Sequence, residues 1–313
     1  MRAQWAQTLL ELAKRDERIF ALTADTVGMP LAEFKQHFPE RFLDVGVAEA
    51  NMVGISAGLA LCGKIPFAAT IAAFASMRCY EQIRTDVCYQ HLNVKIVGVG
   101  AGFKYGPLGA THHAIEDVAL MRALPNMTIV VPADGRETRK ATAALADHPG
   151  PAYLRLGRTG EPAVYTGDYD FQLGRAVTLR AGTNLSIISA GLIVPNVLQA
   201  AEALQGRGIS ARVLNMHTIK PIDKTAIRHA ARETGAILSV EEHSIIGGLG
   251  SAIAEILAEE QLAVPFRRIG LPDIFSGIGI QEQLWEQYGM GMAQIVKAAE
   301  GLCNSRAHSS SSS

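Results

Sequence analysis

The stretch RFLDVGVAEANMVGISAGLALCGKIPFAAT, residues 41–70, decides the fold class. RFLDVGV (41–47) and IPFAAT (65–70) read as buried strands, and EANMVGISAGLALCG between them carries apolar residues at helical spacing. Strand, helix, strand is the unit from which parallel sheets covered on both faces are built. The pattern extends outward in both directions. RIFALTAD (18–25), VKIVGVG (94–100) and MTIVVPAD (127–134) read as further strands, and FASMRCYEQIRTDVCYQH as a helix. A second alternating series follows: strands in NLSIISAG, SARVLNMHTI, GAILSVEE and FRRIGLP, with helices over 195–206, 223–234 and 248–260.

A chain of 313 residues suits two domains. The bridge RTGEPAVYTGDYDFQLG (158–174) is rich in turn formers, so the expected division is a first domain over 1–165, a linker over 166–183 and a second domain over 184–306. Both are expected to be α/β with three α/β/α layers and mostly parallel sheets. The terminal segment 307–313, dominated by serine, cannot build a core and is expected to be disordered.

Composition excludes several function classes. A net charge of −1, with 19% charged residues, gives no basic surface for nucleic acid or anionic membranes. No apolar run approaches the ~20 residues that span a bilayer. The N-terminal MRAQWAQTLLELAKRDER reads as an amphipathic helix without a signal-peptide core. Cys62, Cys79, Cys88 and Cys303 show no metal-ligand spacing. Reduced thiols in a cytoplasmic protein are the expectation.

Within the opening stretch, Glu49 is the one residue the fold does not explain. It stands among small and apolar neighbours, where an unpaired carboxylate costs several kcal/mol. One reading is a helix N-terminal charge pairing with exposed amides. The other is a functional carboxyl. In an open parallel sheet ligands bind at the carboxyl ends of strands, where Glu49, the loop 100–112 and Asp134 are expected.

Three segments in order, GVAEANMVG, FASMRCYEQIR and GPLGATHHAIEDVALMRALPNMTIVVPAD, resemble the pyrimidine-binding domain of transketolase and deoxyxylulose-phosphate synthase. NMHTIKPID, VEEHSIIGGLGSAIAE and RIGLPD resemble the transketolase C-terminal domain. The resemblance covers essentially the whole chain. It implies thiamine diphosphate and Mg²⁺ as cofactors, yet the family's GDG…N motif for diphosphate and metal occurs nowhere here. The chain therefore resembles the C-terminal subunit of a split transketolase. Its partner, an N-terminal subunit, would hold the diphosphate and metal in an α2β2 heterotetramer. The implied activity is transfer of a two-carbon ketol unit from a ketose phosphate to an aldose acceptor. The alternatives are the beta subunit of a 2-oxo-acid dehydrogenase, a deoxyxylulose-phosphate synthase fragment, or a non-catalytic binding or regulatory paralogue.

Residue by residue, the resemblance implies that Glu49 hydrogen-bonds N1′ of the cofactor's aminopyrimidine, with a carboxyl pKa raised by its poorly solvated cleft. Phe74 would stack on that ring, with Ile71 and Met77 one helical turn to either side completing an apolar wall. His112 would face the bound sugar. Its neighbour His113 is expected to point away and cap or pack, and adjacent histidines without further spaced ligands do not suggest metal. Arg158, and Arg2 just before the first helix, match substrate-phosphate arginines, with a plain surface arginine the alternative for Arg2. Arg155, on the same strand as Arg158, could substitute for it. Tyr80 and Arg84 read as packing and a solvated charge. Two departures stand out: Leu108 replaces an Asp four residues before the sugar-facing histidine, and Gly100 a His twelve residues before it. Together they imply an altered donor or acceptor, a less common sugar phosphate.

Overall fold

The computed structural model describes residues 1–25 and 30–310. The first half opens with α1 (Arg2–Ala13), β1 (Ile19–Thr23), α2 (Ala32–His37), β2 (Phe42–Asp44), α3 (Glu49–Leu61) and β3 (Ile65–Ile71). It continues with α4 (Ala72–Met77), α5 (Tyr80–Gln82), β4 (Lys95–Val99), α6 (Asp117–Ala123), β5 (Thr128–Val130), α7 (Gly135–Asp147) and β6 (Ala152–Leu156). The second half holds β7 (Val177–Arg180), β8 (Leu185–Ser189), α8 (Val194–Gln205), β9 (Ala211–Asn215), β10 (Thr218–Lys220), α9 (Lys224–Thr234) and β11 (Ile237–Ser244). It ends with α10 (Leu249–Glu259), β12 (Phe266–Leu271), α11 (Gln281–Gln287) and α12 (Met292–Ser310).

Two sheets result, in strand orders β10-β5-β6-β4-β3-β1-β2 and β12-β11-β8-β9-β7. Strands β1 to β6 run parallel to one another, as do β8, β9, β11 and β12. The period of two along each strand sorts side chains into two cores. Phe67, Ala69, Val97 and Val99 join the core under α1 and α7, whereas Ala68 and Ile96 join the core that contains Met52, Val53 and Ala57 of α3. Continuous apolar runs follow because both faces are covered.

Several expectations need correction. The strand read in SARVLNMHTI is two strands in two sheets. β9 belongs to the second sheet, while β10 crosses over and pairs antiparallel with the otherwise open edge of β5, continued by Val131 N–H donating to His217 O at 2.7 Å. The segment expected as linker contains β7, an antiparallel edge partner of β9. β2 is a half-exposed edge strand rather than a buried one. The helix read over FASMRCYEQIRTDVCYQH breaks after Met77 and resumes at Tyr80, with a π-turn over Ile83–Cys88. In the expected disordered tail, α12 continues to Ser310, because adding turns to a helix already packed through Ile295, Val296, Ala299 and Leu302 costs little. Residues 311–313 lie outside the described ones.

The halves are tied by buried polar groups around the loop after β4. Glu242 on β11 accepts three N–H groups on Oε1: from Phe103 N at 3.0 Å, Gln281 Nε2 at 2.7 Å and Trp285 Nε1 at 2.9 Å. Gly102, at φ +62°, lies so close that a Cβ there would fall 2.2 Å from the Glu242 carboxyl carbon. Arg155 pairs with Asp117 at 2.8 Å and donates to the carbonyls of Ala114 and Glu242. Ser244 N–H reaches Ile115 O at 2.7 Å. Both arms of loop 100–116, bridged to each other through Gly102 and Ala114, are thus fastened to the second half. Burial pushes the Glu242 carboxyl above the usual range, against the opposing pull of Arg155 and the donors. Glu242→Ala is expected to cost about 2–3 kcal/mol in denaturant unfolding by stranding buried donors, and Glu242→Gln, which keeps an acceptor, clearly less.

Candidate active site

Glu49 is the first residue of α3 and only 4% exposed. Its Oε1 accepts from Arg78 Nη1 at 3.0 Å, and Oε2 has no hydrogen-bond partner among the described residues. A buried carboxylate with one oxygen paired and one left open is half satisfied. Phe74 sits in the short helix α4, packed on Ala72, Ala73, Ala101 and Ala114, whose small side chains let the helix close onto loop 100–116. The Arg78 guanidinium carbon lies 3.8 Å from the Phe74 ring centroid, so one arginine touches both the carboxylate and the aromatic face. Ile71 ends β3 and precedes α4, and Met77 ends α4 and is 42% exposed, so they bracket Phe74 along the chain.

His112 comes to the same place from the loop. Its ring meets Phe74 edge-on at 5.1 Å and Tyr105 at 6.0 Å, and Nδ1 lies 2.9 Å from Thr111 Oγ1. Burial, then the charge of Arg78 and the neighbouring His113, lower the imidazole pKa, favouring the neutral ring near pH 7. His113 turns into the protein: Nδ1 meets Ser276 Oγ at 2.7 Å and Nε2 meets Gly106 O at 3.0 Å. Both its nitrogens are engaged, leaving none to share an ion with His112.

Arg158 is exposed beyond the end of β6, with its guanidinium carbon 5.0 Å from the Tyr105 ring centroid. Glu161 accepts from both Arg158 N–H and the Met1 ammonium, which brings the start of α1, and so Arg2, beside this loop. Arg155 cannot stand in for Arg158. It is buried and engaged by Asp117 and two carbonyls. The structure thus brings together Glu49, Phe74 and His112, and extends through Tyr105 to Arg158.

Two members of this cluster, Arg78 and Tyr105, escaped the sequence reading. Arg78 stands four residues after Phe74, a spacing at which helical side chains meet. Tyr105 could have been suspected only from the missing side chain at position 100. Val47, Met77 and Leu108, close in sequence to Glu49, Phe74 and His112 respectively, are apolar and exposed by 70%, 42% and 54%. A cavity of about 690 Å³ beside the start of α7, lined by Gln4, Gly135, Arg136 and Tyr165 among others, contains none of Glu49, Phe74 or His112.

The electrostatics can be checked directly. In a ¹³C-histidine titration by NMR, His112 is expected to titrate below an ordinary exposed histidine, and Arg78→Ala to raise its midpoint by removing a neighbouring positive charge. An unchanged midpoint contradicts that coupling.

Comparisons with known proteins identify the family. The family model described as transketolase, pyrimidine binding domain, matches residues 1–161, and that of the transketolase C-terminal domain matches residues 174–295. An apulose-4-phosphate transketolase subunit from Phocaeicola vulgatus is 47% identical over 95% of this chain and 96% of its own length. A 6-deoxy-6-sulfo-D-fructose transketolase subunit from a Clostridium species is 44% identical over 96% of this chain and 93% of its own. A solved split-gene transketolase, described as an inactive beta4 tetramer, superposes with a TM-score of 0.90 at 43% identity, covering 97% of this chain and 98% of that one. A Campylobacter jejuni transketolase structure shares the fold at 21% identity and TM-score 0.81, and this chain covers 46% of it. The chain belongs to the transketolase family, and over 95–97% of its length it matches the separate C-terminal subunits of split members.

Proposed function

We propose that this chain is the pyrimidine-side half of a split, thiamine-diphosphate-dependent transketolase. With an N-terminal subunit that binds the diphosphate and Mg²⁺, it would move a two-carbon ketol unit from a ketose phosphate to an aldose acceptor, in an α2β2 assembly. The observation that carries this reading is the open oxygen of buried Glu49, linked through Arg78 to the Phe74 ring, with exposed apolar residues close by in sequence. That is the chemistry an aminopyrimidine needs: an acceptor or acid for one ring nitrogen, an aromatic face, and dry walls. Thiamine diphosphate, when bound, supplies the nucleophilic carbon that attacks the donor carbonyl.

The chain's own residues then divide the work. Glu49 holds a proton at the pyrimidine N1′ through its free oxygen, while Arg78 neutralises the other. Phe74 presents its ring, with Ile71 and Met77 on the rim. His112, held neutral, donates to or accepts from the oxygen at the reacting carbon. Arg158, assisted by Arg2, pairs with the substrate phosphate through its planar fork of donors. A phosphate-binding arginine at the far end of the cluster favours sugar phosphates over simple 2-oxo acids. The relatives named for apulose 4-phosphate and 6-deoxy-6-sulfo-D-fructose support an unusual sugar as substrate. A related beta-only assembly described as inactive supports dependence on the partner. The four cysteines are free thiols, which accords with a cytoplasmic location.

The test is reconstitution with a candidate N-terminal subunit, thiamine diphosphate and Mg²⁺, followed by a ketose-phosphate screen. Activity is expected only with both chains. Glu49→Gln and Glu49→Ala are expected to lower kcat by about 10²-fold or more while the complex still assembles. Full turnover in Glu49→Ala contradicts the assignment.

A further inference from the structure

Positions 100 and 108 hold Gly and Leu where the family resemblance leads one to expect a histidine and an aspartate, and the structure shows what occupies the freed volume. Gly100 follows β4 with φ +72°, and a Cβ built on it falls 2.0 Å from Cε2 of Tyr105. No side chain at position 100 could coexist with that ring. Tyr105 is held there by its loop, with Gly106 N–H donating to Phe103 O at 2.7 Å and Leu108 N–H to Tyr105 O at 2.8 Å. The ring stands between the two groups expected to touch substrate, 6.0 Å from His112 and 5.0 Å from the Arg158 guanidinium carbon. Its hydroxyl has no hydrogen-bond partner among the described residues. Leu108, on the same turn, is exposed.

The wall between His112 and Arg158 is therefore the Tyr105 ring, whose faces are apolar and whose one hydrogen-bonding group is the hydroxyl at its tip. A substrate hydroxyl pressed against the ring face gives up water and gains no partner, whereas a methylene there gives up nothing. We propose that Tyr105 is a specificity-determining residue: it selects phosphorylated ketoses that keep the hydroxyl on the carbon next to the carbonyl, which becomes the aldehyde oxygen when the carbon–carbon bond breaks, but lack one on the following carbon, over fully hydroxylated ones. The inference rests on the transketolase reading above and deepens it by assigning the substrate class to one side chain.

The experiment uses the reconstituted complex with two probe donors, xylulose 5-phosphate and its 4-deoxy analogue, and compares their kcat/KM values. The wild type is expected to favour the deoxy donor by about tenfold, the scale of discrimination an apolar ring face supplies. Tyr105→Val, which removes the ring, is expected to bring the ratio close to one. Tyr105→Phe, which keeps the ring, is expected to retain the preference. Melting curves and cofactor affinity verify that the variants fold and assemble, and Tyr105→Leu replaces the valine variant if that one does not. An unchanged ratio in Tyr105→Val or Tyr105→Leu, or a wild type that prefers xylulose 5-phosphate, overturns the proposal while leaving the transketolase reading intact. A wild-type complex that turns over neither these nor any other ketose phosphate overturns both.

Discussion

Three N–H groups from two parts of the chain converge on one carboxylate oxygen, Glu242 Oε1, and the candidate site depends on that convergence. Loop 100–116 carries His112 and Tyr105, and loops between sheet and helix are ordinarily among the more mobile parts of a fold. Here the loop is held from the second half of the chain by Glu242, Arg155 and the backbone of Ser244. The second half contributes none of Glu49, Phe74, His112 or Arg158. Its part is to make a loop behave as rigidly as a strand, so that an imidazole can stand at a fixed place beside Phe74.

The same division of roles explains the unusual exposure of the site. Glu49 is buried, with one oxygen paired to Arg78 and the other without a hydrogen-bond partner among the described residues. Val47, Met77 and Leu108, near the site residues in sequence, are apolar and exposed. A monomer rarely keeps such side chains around a half-satisfied carboxylate unless a second surface covers them. Arg78 meanwhile neutralises Glu49 and covers Phe74. Burying the carboxylate without a cation would cost several kcal/mol, and the ion pair makes the chain tolerable before anything binds.

Much of this was legible in residues 41–70, because strand and helix periods are local properties and both appear there without interruption. The antiparallel β10 was not legible: three residues leave their own sheet to cover the edge of β5, a choice made by a partner nearly ninety residues away in sequence. The break after Met77 was likewise hidden, since the helical spacing of apolar residues continues across it. Within the site, Glu49 is an odd residue in its local setting, whereas Phe74 and His112 could be named only through the family resemblance. Arg78 could not, because an arginine on a helix reads as a solvated charge. Arg155 and Arg158 look interchangeable in sequence. Only the packing of β6 against α6 separates the buried partner of Asp117 from the exposed cation over Tyr105. Gly100 marked a loss in the sequence, and the compensating ring five residues on is visible only in three dimensions.

The proposed function makes this chain half of a cofactor site, complete in its pyrimidine-facing groups and lacking the diphosphate anchor. The decisive measurement is calorimetric titration of thiamine diphosphate with Mg²⁺ into the chain alone, and into its complex with the N-terminal subunit. No measurable binding is expected for the chain alone, and stoichiometric binding once the partner is present, weakened in Glu49→Ala. Tight, Mg²⁺-dependent binding by the isolated chain would contradict that division.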